Sequence, residues 1–263
     1  MVNAWIYEPR DGAFAPSGHA RGPWDAAAQH GGAPAALLAR AIERVEPGAD
    51  MFVARITYEF LGPVALAPLE ADAWVLRAGR RFQLVEGELR EGGRAIVRAR
   101  AVRLRRGDVA LPGAALADAG PPSTAPDDAE RSAFPADREG EAFSLTGMEI
   151  RFADGTDYGT GPALAWFRLA VPLIAGETPT GLQRVVAAAD FGNGISRVLD
   201  FDRHLFVNTD LTVHVHREPV GEWVLVDART VVDPAGVGLA TSRLSDERGA
   251  LGIGAQTLFV DVR

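Results

Sequence analysis

Apolar positions along this chain switch between a helical period and a strand period, and the order of the switches occurs twice. Residues 5–7 read as a short strand, Arg10-Asp11-Gly12 as a turn, and 15–25 as an irregular Gly/Pro stretch. Leu37, Leu38, Ala41, Ile42 and Val45 then recur at helical spacing, with Pro34 in the first turn and Pro47-Gly48 as the stop. Four strand-like runs follow at 52–62, 69–79, 80–90 and 94–105, divided by Gly62-Pro63, Gly79 and Gly92-Gly93. From 107 to 141 the composition shifts to Ala, Pro, Asp and Gly, the character of a mobile linker. Beyond it come strands at 148–152 and 164–171, a helix announced by Thr178-Pro179, and strands at 205–216, 222–232, 238–246 and 251–262. The pattern predicts an α+β chain made of two copies of one unit, each a buried helix with an antiparallel meander, over 1–106 and 142–263.

The second helical run, LQRVVAAADFGNGIS (182–196), changes this picture most. Leu182, Val185, Val186, Ala189 and Phe191 fall at helical spacing, and Ala187 and Ala188 leave little polar face, so the run is expected to be buried. It carries one carboxylate, Asp190. Burial and the negative end of a helix dipole both disfavour the charged form of an acid, an environment suited to a general base. The alternative is an acid at a frayed helix end that caps Gly192 and Gly194.

Composition narrows the function classes. With 47% hydrophobic and 24% charged residues in 263, the chain has the balance of a soluble globular protein, and no apolar run has the length of a membrane helix. A net charge of -8 argues against nucleic acid or an anionic membrane as partner. There is no cysteine, hence no disulfide, thiolate nucleophile or cysteine-bound metal, and the N-terminal residues lack the look of a signal peptide. A cytoplasmic location is the expectation.

Four further features are candidates for chemistry. His30-Gly31-Gly32 precedes the first helix, where free N–H groups can hold a substrate oxyanion, or where two glycines are only a flexible lead-in. Gln256 shares a strand face with Leu258 and Val260 and is expected to point inward, as a site amide or a structural one. His214 and His216 share a strand face but have no third ligand, so no metal is assigned. Arg98, Arg100, Arg103, Arg105 and Arg106 read as a solvated strand edge rather than a phosphate site. Neither a dinucleotide-binding glycine motif nor a GxSxG elbow occurs.

Trp24, the segments QHGGAPAALLARAIE, RITYEFLGPV and GRRFQLVEGELREGGRAIVRA, and later AADFGNGIS, NTDLTVHVHREPVGEW and GIGAQTLFVDVR give the chain a resemblance to the thioesterase II type of acyl-CoA thioesterase. The resemblance implies a double hotdog, two long helices each wrapped by an antiparallel sheet, and hydrolysis of acyl-CoA without a cofactor. Such enzymes activate water with an Asp, a Thr or Ser, and a Gln. The Asp falls on Asp190 and the Gln on Gln256, but the hydroxyl position holds Asn208, with Thr209 as its neighbour. On a regular strand Thr209 faces the other way and could substitute only through a bulge. A non-catalytic acyl-CoA-binding protein is the alternative. A hotdog hydratase is a weaker one: such enzymes pair an Asp with a His a few residues later on a loop before the helix, and no such pair is assigned around Asp190 or Asp25. Sheet edges and apolar strand faces leave room for a homo-oligomer.

Overall fold

Asp11 and Gly12 both take positive φ, 50° and 81°, which a two-residue hairpin turn requires. The chain therefore doubles back, and β1 (Tyr7–Arg10) pairs with β2 (Ala13–Pro16), starting later than the strand expected at 5–7. The computed structural model describes residues 5–45, 50–113, 120–131 and 140–263. Parts of the expected linker, 114–119 and 132–139, lie outside the described residues.

The first helix, α1 (Gly32–Arg44), is buried on every side from Gly32 to Arg40. A single apolar stripe would cover one neighbour; this helix has two, the sheet on one side and a second helix on the other. The four expected strands follow as β3 (Met51–Phe60), β4 (Glu70–Arg77), β5 (Phe82–Glu91) and β6 (Arg94–Arg105). The second half supplies β7 (Glu130–Arg131), β8 (Met148–Phe152), β9 (Ala163–Leu169), α2 (Gly181–Ala189) and the one-turn α3 (Gly192–Ile195). It closes with β10 (His204–Asn208), β11 (Asp210–Val215), β12 (Val224–Asp233), β13 (Val237–Asp246) and β14 (Gly249–Val262).

All but the first hairpin join one antiparallel sheet, ordered β4-β5-β6-β3-β11-β14-β13-β12-β9-β8-β7, with β10 also on β14. Read outward from the β3/β11 seam, the order is β3-β6-β5-β4 on one side and β11-β14-β13-β12 on the other. At the seam Ile56 pairs with Val213, and Thr212 hydrogen bonds to Thr57. Inward residues of both halves and the helices between them form one apolar core.

The helices run antiparallel, and each end is fastened by side chains of the other half. Thr180 and Gln183 make a capping box at the start of α2 and both donate to Glu43, near the end of α1. Arg40 forms a bidentate pair with Glu177 at 2.6 Å. The arginine run does not lie on an edge, contrary to expectation: β6 sits between β5 and β3, and Arg103 is buried, donating to Ile42 and Val45 carbonyls at the end of α1. Arg98 and Arg100 pair across the sheet with Glu88 and Glu86. Within the expected linker, Thr124 accepts from the Trp166 indole, Pro126 from Arg151, and β7 adds to β8. No described helix is long and apolar enough to cross a membrane.

One ion pair makes the fold acid-sensitive. Arg217, just past β11, holds both carboxylate oxygens of Asp246 at 2.7 Å, and Asp246 is fully buried. Burial works against its charge, but the Arg217 hydrogen bonds, the Val220 and Arg248 N–H groups and the Arg217 charge outweigh it and hold the carboxyl below its usual range. The native state thus favours the ionised form more than the unfolded chain does. The stability this contributes is complete above about pH 4 and is lost as pH falls through the lower native value. Asp246→Asn is expected to cost about 3 kcal/mol near neutrality and to flatten the loss on acidification. Urea midpoints measured over falling pH check this, and parallel pH curves for the two proteins would contradict it.

Candidate active site

The run 182–196 is not one helix. Helix α2 stops at Ala189, Asp190 takes the C-cap, and Gly192 opens the short α3. Gly192 and Gly194 are weak helix formers, and the break is stitched by a side chain: the Asn193 N–H donates to Gln256 Oε1 at 3.0 Å. A Cβ at Gly192 would lie 2.9 Å from that same oxygen, so only glycine admits the contact.

Asp190 is 3% exposed, yet its carboxylate borders a cavity of about 220 Å³. Oδ1 lies 2.9 Å from Asn208 Nδ2 and 3.3 Å from Gln256 Nε2, while Oδ2 is 3.0 Å from His30 Nδ1. The acid is thus held by side chains from the β10–β11 junction, from β14 and from the other half of the chain. Gln256 Nε2 also donates to the Asp190 carbonyl at 3.1 Å, so the amide is fully occupied behind the acid and does not reach the cavity wall. Asn208 does reach it. Its Nδ2 faces two acceptors, Asp190 Oδ1 and the Asp210 carbonyl, which fixes the amide orientation and leaves its oxygen without a partner among the described residues.

The strand does bulge here. Pairing shifts by one residue between Asn208↔Leu258 and Thr212↔Ala255. The bulge turns Asn208 to Asp190 and leaves Thr209 exposed, its hydroxyl 3.4 Å from the Thr257 carbonyl. Thr209 takes no part in the site.

The pair Gly31-Gly32 admits the protein itself. A Cβ on Gly31 would lie 2.8 Å from Asp190 Oδ2, and one on Gly32 would lie 2.7 Å from the Ala187 carbonyl of α2. This brings the positive end of the α1 dipole to Asp190, opposing the negative end of α2 on which the acid sits. By sequence alone only the dipole of the helix that carries the acid is apparent. Gly31 lines the cavity, and its N–H has no acceptor among the described residues. Because Gly31 has ordinary helical φ and ψ, −56° and −29°, alanine fits its backbone. Gly31→Ala is therefore expected to push the carboxylate aside and lower kcat about tenfold or more, with stability changed by less than about 1 kcal/mol. Steady-state kinetics beside a thermal melt check it.

The rest of the wall came from loops that carry no pattern of their own. Trp24 stacks on Phe201 at 4.3 Å and meets Phe206 edge-on at 4.8 Å, with the Arg263 guanidinium over the Trp24 and Phe201 rings. Tyr158, Ser144 and Arg197 also line it, and Arg197 Nε is buried without an acceptor among the described residues. His30 and Asp190 also make an Asp–His pair, assembled from opposite halves of the chain, whereas Asp25, five residues before His30, is exposed and does not line the cavity. His214 on β11 and His216 just past its end face solvent, and among the described residues no group of three His, Asp or Glu is placed to hold a metal.

Two family models match the chain: an acyl-CoA thioesterase N-terminal domain over residues 20–104 and an acyl-CoA thioesterase C-terminal domain over residues 126–260. A search of curated proteins finds no match. Among solved structures, a protein of Novosphingobium aromaticivorans provisionally named a thioesterase is 24% identical, with TM-score 0.74 over 97% of this chain and 98% of that one. A hot dog fold protein of unknown function from Alicyclobacillus acidocaldarius is 17% identical, with TM-score 0.71 over 99% and 97%. An acyl-CoA thioesterase II from Mycobacterium marinum is 16% identical, with TM-score 0.64 over 90% of both chains. At such identities these structures speak for the hotdog fold alone, whereas the family models span both halves of the chain. The chain belongs to the acyl-CoA thioesterase family, whose members are thioester hydrolases.

Proposed function

We propose that this protein hydrolyses an acyl-CoA thioester to the free acid and CoA with a water activated by Asp190. In this reading the chain is a double hotdog, units 1–106 and 142–263 joined by 107–141, with the site where the units meet. The observation that carries it is the Asp190 carboxylate, nearly buried at the cavity wall and gripped by Asn208, Gln256 and His30. A carboxylate so held loses little entropy in reaching a reactive geometry.

Asn208 fills the role of the family hydroxyl with its free amide oxygen, which accepts a hydrogen from the water. Gln256 holds Asp190 rather than the water. The water oxygen adds to the thioester carbonyl, the resulting oxyanion takes the Gly31 N–H at the head of α1, and collapse breaks the C–S bond. The thiolate leaves with the proton taken from water. The paired Phe201 and Trp24 rings, with Phe206, supply the apolar wall for the acyl group.

The test is a thiol-release assay with short-, medium- and long-chain acyl-CoAs. Release of CoA with at least one chain length is expected. Binding without release across the whole panel would refute hydrolysis. The His30–Asp190 contact gives a second reading some footing, addition of water to a 2-enoyl-CoA. Loss of the enoyl absorbance without thiol release would select it.

A further inference from the structure

We propose that His30 is a catalytic residue of this site, and that Asp190 acts through it: the imidazole Nε2 takes the proton from the attacking water while the Asp190 carboxylate holds the Nδ1–H. The proposal rests on the hydrolytic reading above and names the atom that receives the proton.

The proton count at Nδ1 starts the argument. Asp190 Oδ2 lies 3.0 Å from it, and the Gly32 N–H points at the same nitrogen from 3.1 Å. Nδ1 can donate to the carboxylate or accept from Gly32, not both. If it accepted, its lone pair would face the carboxylate oxygen at hydrogen-bond distance with no proton between them. Both amide donors, from Asn208 and Gln256, end on Oδ1, and no other donor among the described residues meets Oδ2. The proton therefore lies between Nδ1 and Oδ2. An imidazole N–H donating to a carboxylate is the ordinary form of such a pair, so the proton resides on the ring. That leaves Nε2 as a lone pair.

The ring is also aimed. It stacks on Phe191 at 4.3 Å and is flanked by Phe143 at 5.1 Å, so it cannot turn over without displacing an aromatic neighbour. His30 lines the cavity, and Nε2 contacts no polar group among the described residues. The side chain of His30 is 11% exposed and that of Asp190 is 2%, so a water in the cavity meets the imidazole more readily than the carboxylate. A buried acid holding a histidine in one tautomer is the arrangement by which hydrolases make imidazole a base. The step balances: one water O–H proton moves to Nε2, the C–O bond forms, the C–S bond breaks, and the imidazolium returns the proton to the CoA thiolate. Asp190 then positions the ring and offsets its transient charge.

The titratable groups that share the cavity with His30 are Asp190, Tyr158, Arg197, Asp200 and Asp202, and of these Asp190 is the one in contact with it. Two variants separate the roles. His30→Asn can keep a donor to Asp190 near the Nδ1 position but has no Nε2, and His30→Gln supplies an amide of greater reach. Both are expected to lower kcat about 100-fold with KM changed no more than about threefold. Both are also expected to abolish the acid limb of the wild-type kcat/KM profile, and added imidazole should restore part of the rate in His30→Asn. If either folded variant keeps wild-type kcat and the acid limb while Asp190→Asn is inactive, the proton goes to Asp190 directly and the proposal is overturned, with hydrolysis left standing. Should neither variant fold, the wild-type profile decides: a kcat/KM that does not fall on the acid side as an imidazole is protonated overturns it.

Discussion

Asp190→Asn is expected to lower kcat by about 100-fold or more and to leave the chain folded. The two side chains have nearly the same volume, and the site still offers acceptors and donors: an amide oxygen facing Asn208 and Gln256 keeps the bonds now made to Oδ1. What changes is the other arm. Its NH2 would meet His30 Nδ1, where the carboxylate oxygen now lies 3.0 Å away, and a donor there forces the ring to accept. The ring proton moves to Nε2, and the lone pair that faced the cavity is gone. Base strength is lost whether the proton goes first to the carboxylate or to the imidazole, and 100-fold corresponds to about 2.7 kcal/mol of transition-state stabilisation. Thiol release measured beside a thermal melt checks both halves of the expectation. A variant that turns over at the wild-type rate would remove Asp190 from the mechanism altogether.

Gly32→Ala is expected to strike the fold rather than the chemistry, with a loss of about 2–3 kcal/mol. In a helix with no neighbours the same change would stabilise by about 1 kcal/mol, because glycine is the poorer helix former. Here the added Cβ would lie 2.7 Å from the Ala187 carbonyl and 2.9 Å from a Phe143 ring carbon. The ring has some room to move, but the carbonyl is α2 backbone, so relief requires α1 and α2 to separate. Separation would strain the Glu43 contacts with Thr180 and Gln183 at the far end of the same helix pair. For a chain of this size the loss appears as a fall in Tm of roughly 5–10 °C. A raised Tm would show that the two helices do not meet at Gly32. Gly31→Ala, one residue earlier, touches only the movable carboxylate, so the adjacent glycines are expected to separate an effect on rate from an effect on stability.

By itself, the sequence determined the main helices and strands and their order, though not β2, β7 or the break between α2 and α3. Period-two runs became β3 to β6 and β11 to β14, because alternation and turn chemistry are set by near neighbours: Gly92 and Gly93 take the positive φ of a hairpin turn, as Asp11 and Gly12 do. The inward side of Gln256 followed from the same period. The resemblance, rather than the spacing, set Asp190 beside Gln256. Local period was silent wherever two distant segments meet. Arg103 belongs by pattern to a polar strand but caps α1 from beneath, because β6 lies inside the sheet. The one-residue shift that turns Asn208 inward is a property of how two strands pair on β14, not of either strand alone. His30 reaches Asp190 because antiparallel packing of α1 on α2, across the β3/β11 seam, sets the head of one helix against the tail of the other. Helical and strand periods are properties of a few consecutive residues, whereas the meeting of His30 with Asp190 depends on strand register and helix packing summed over both halves. Only the tertiary structure decides that.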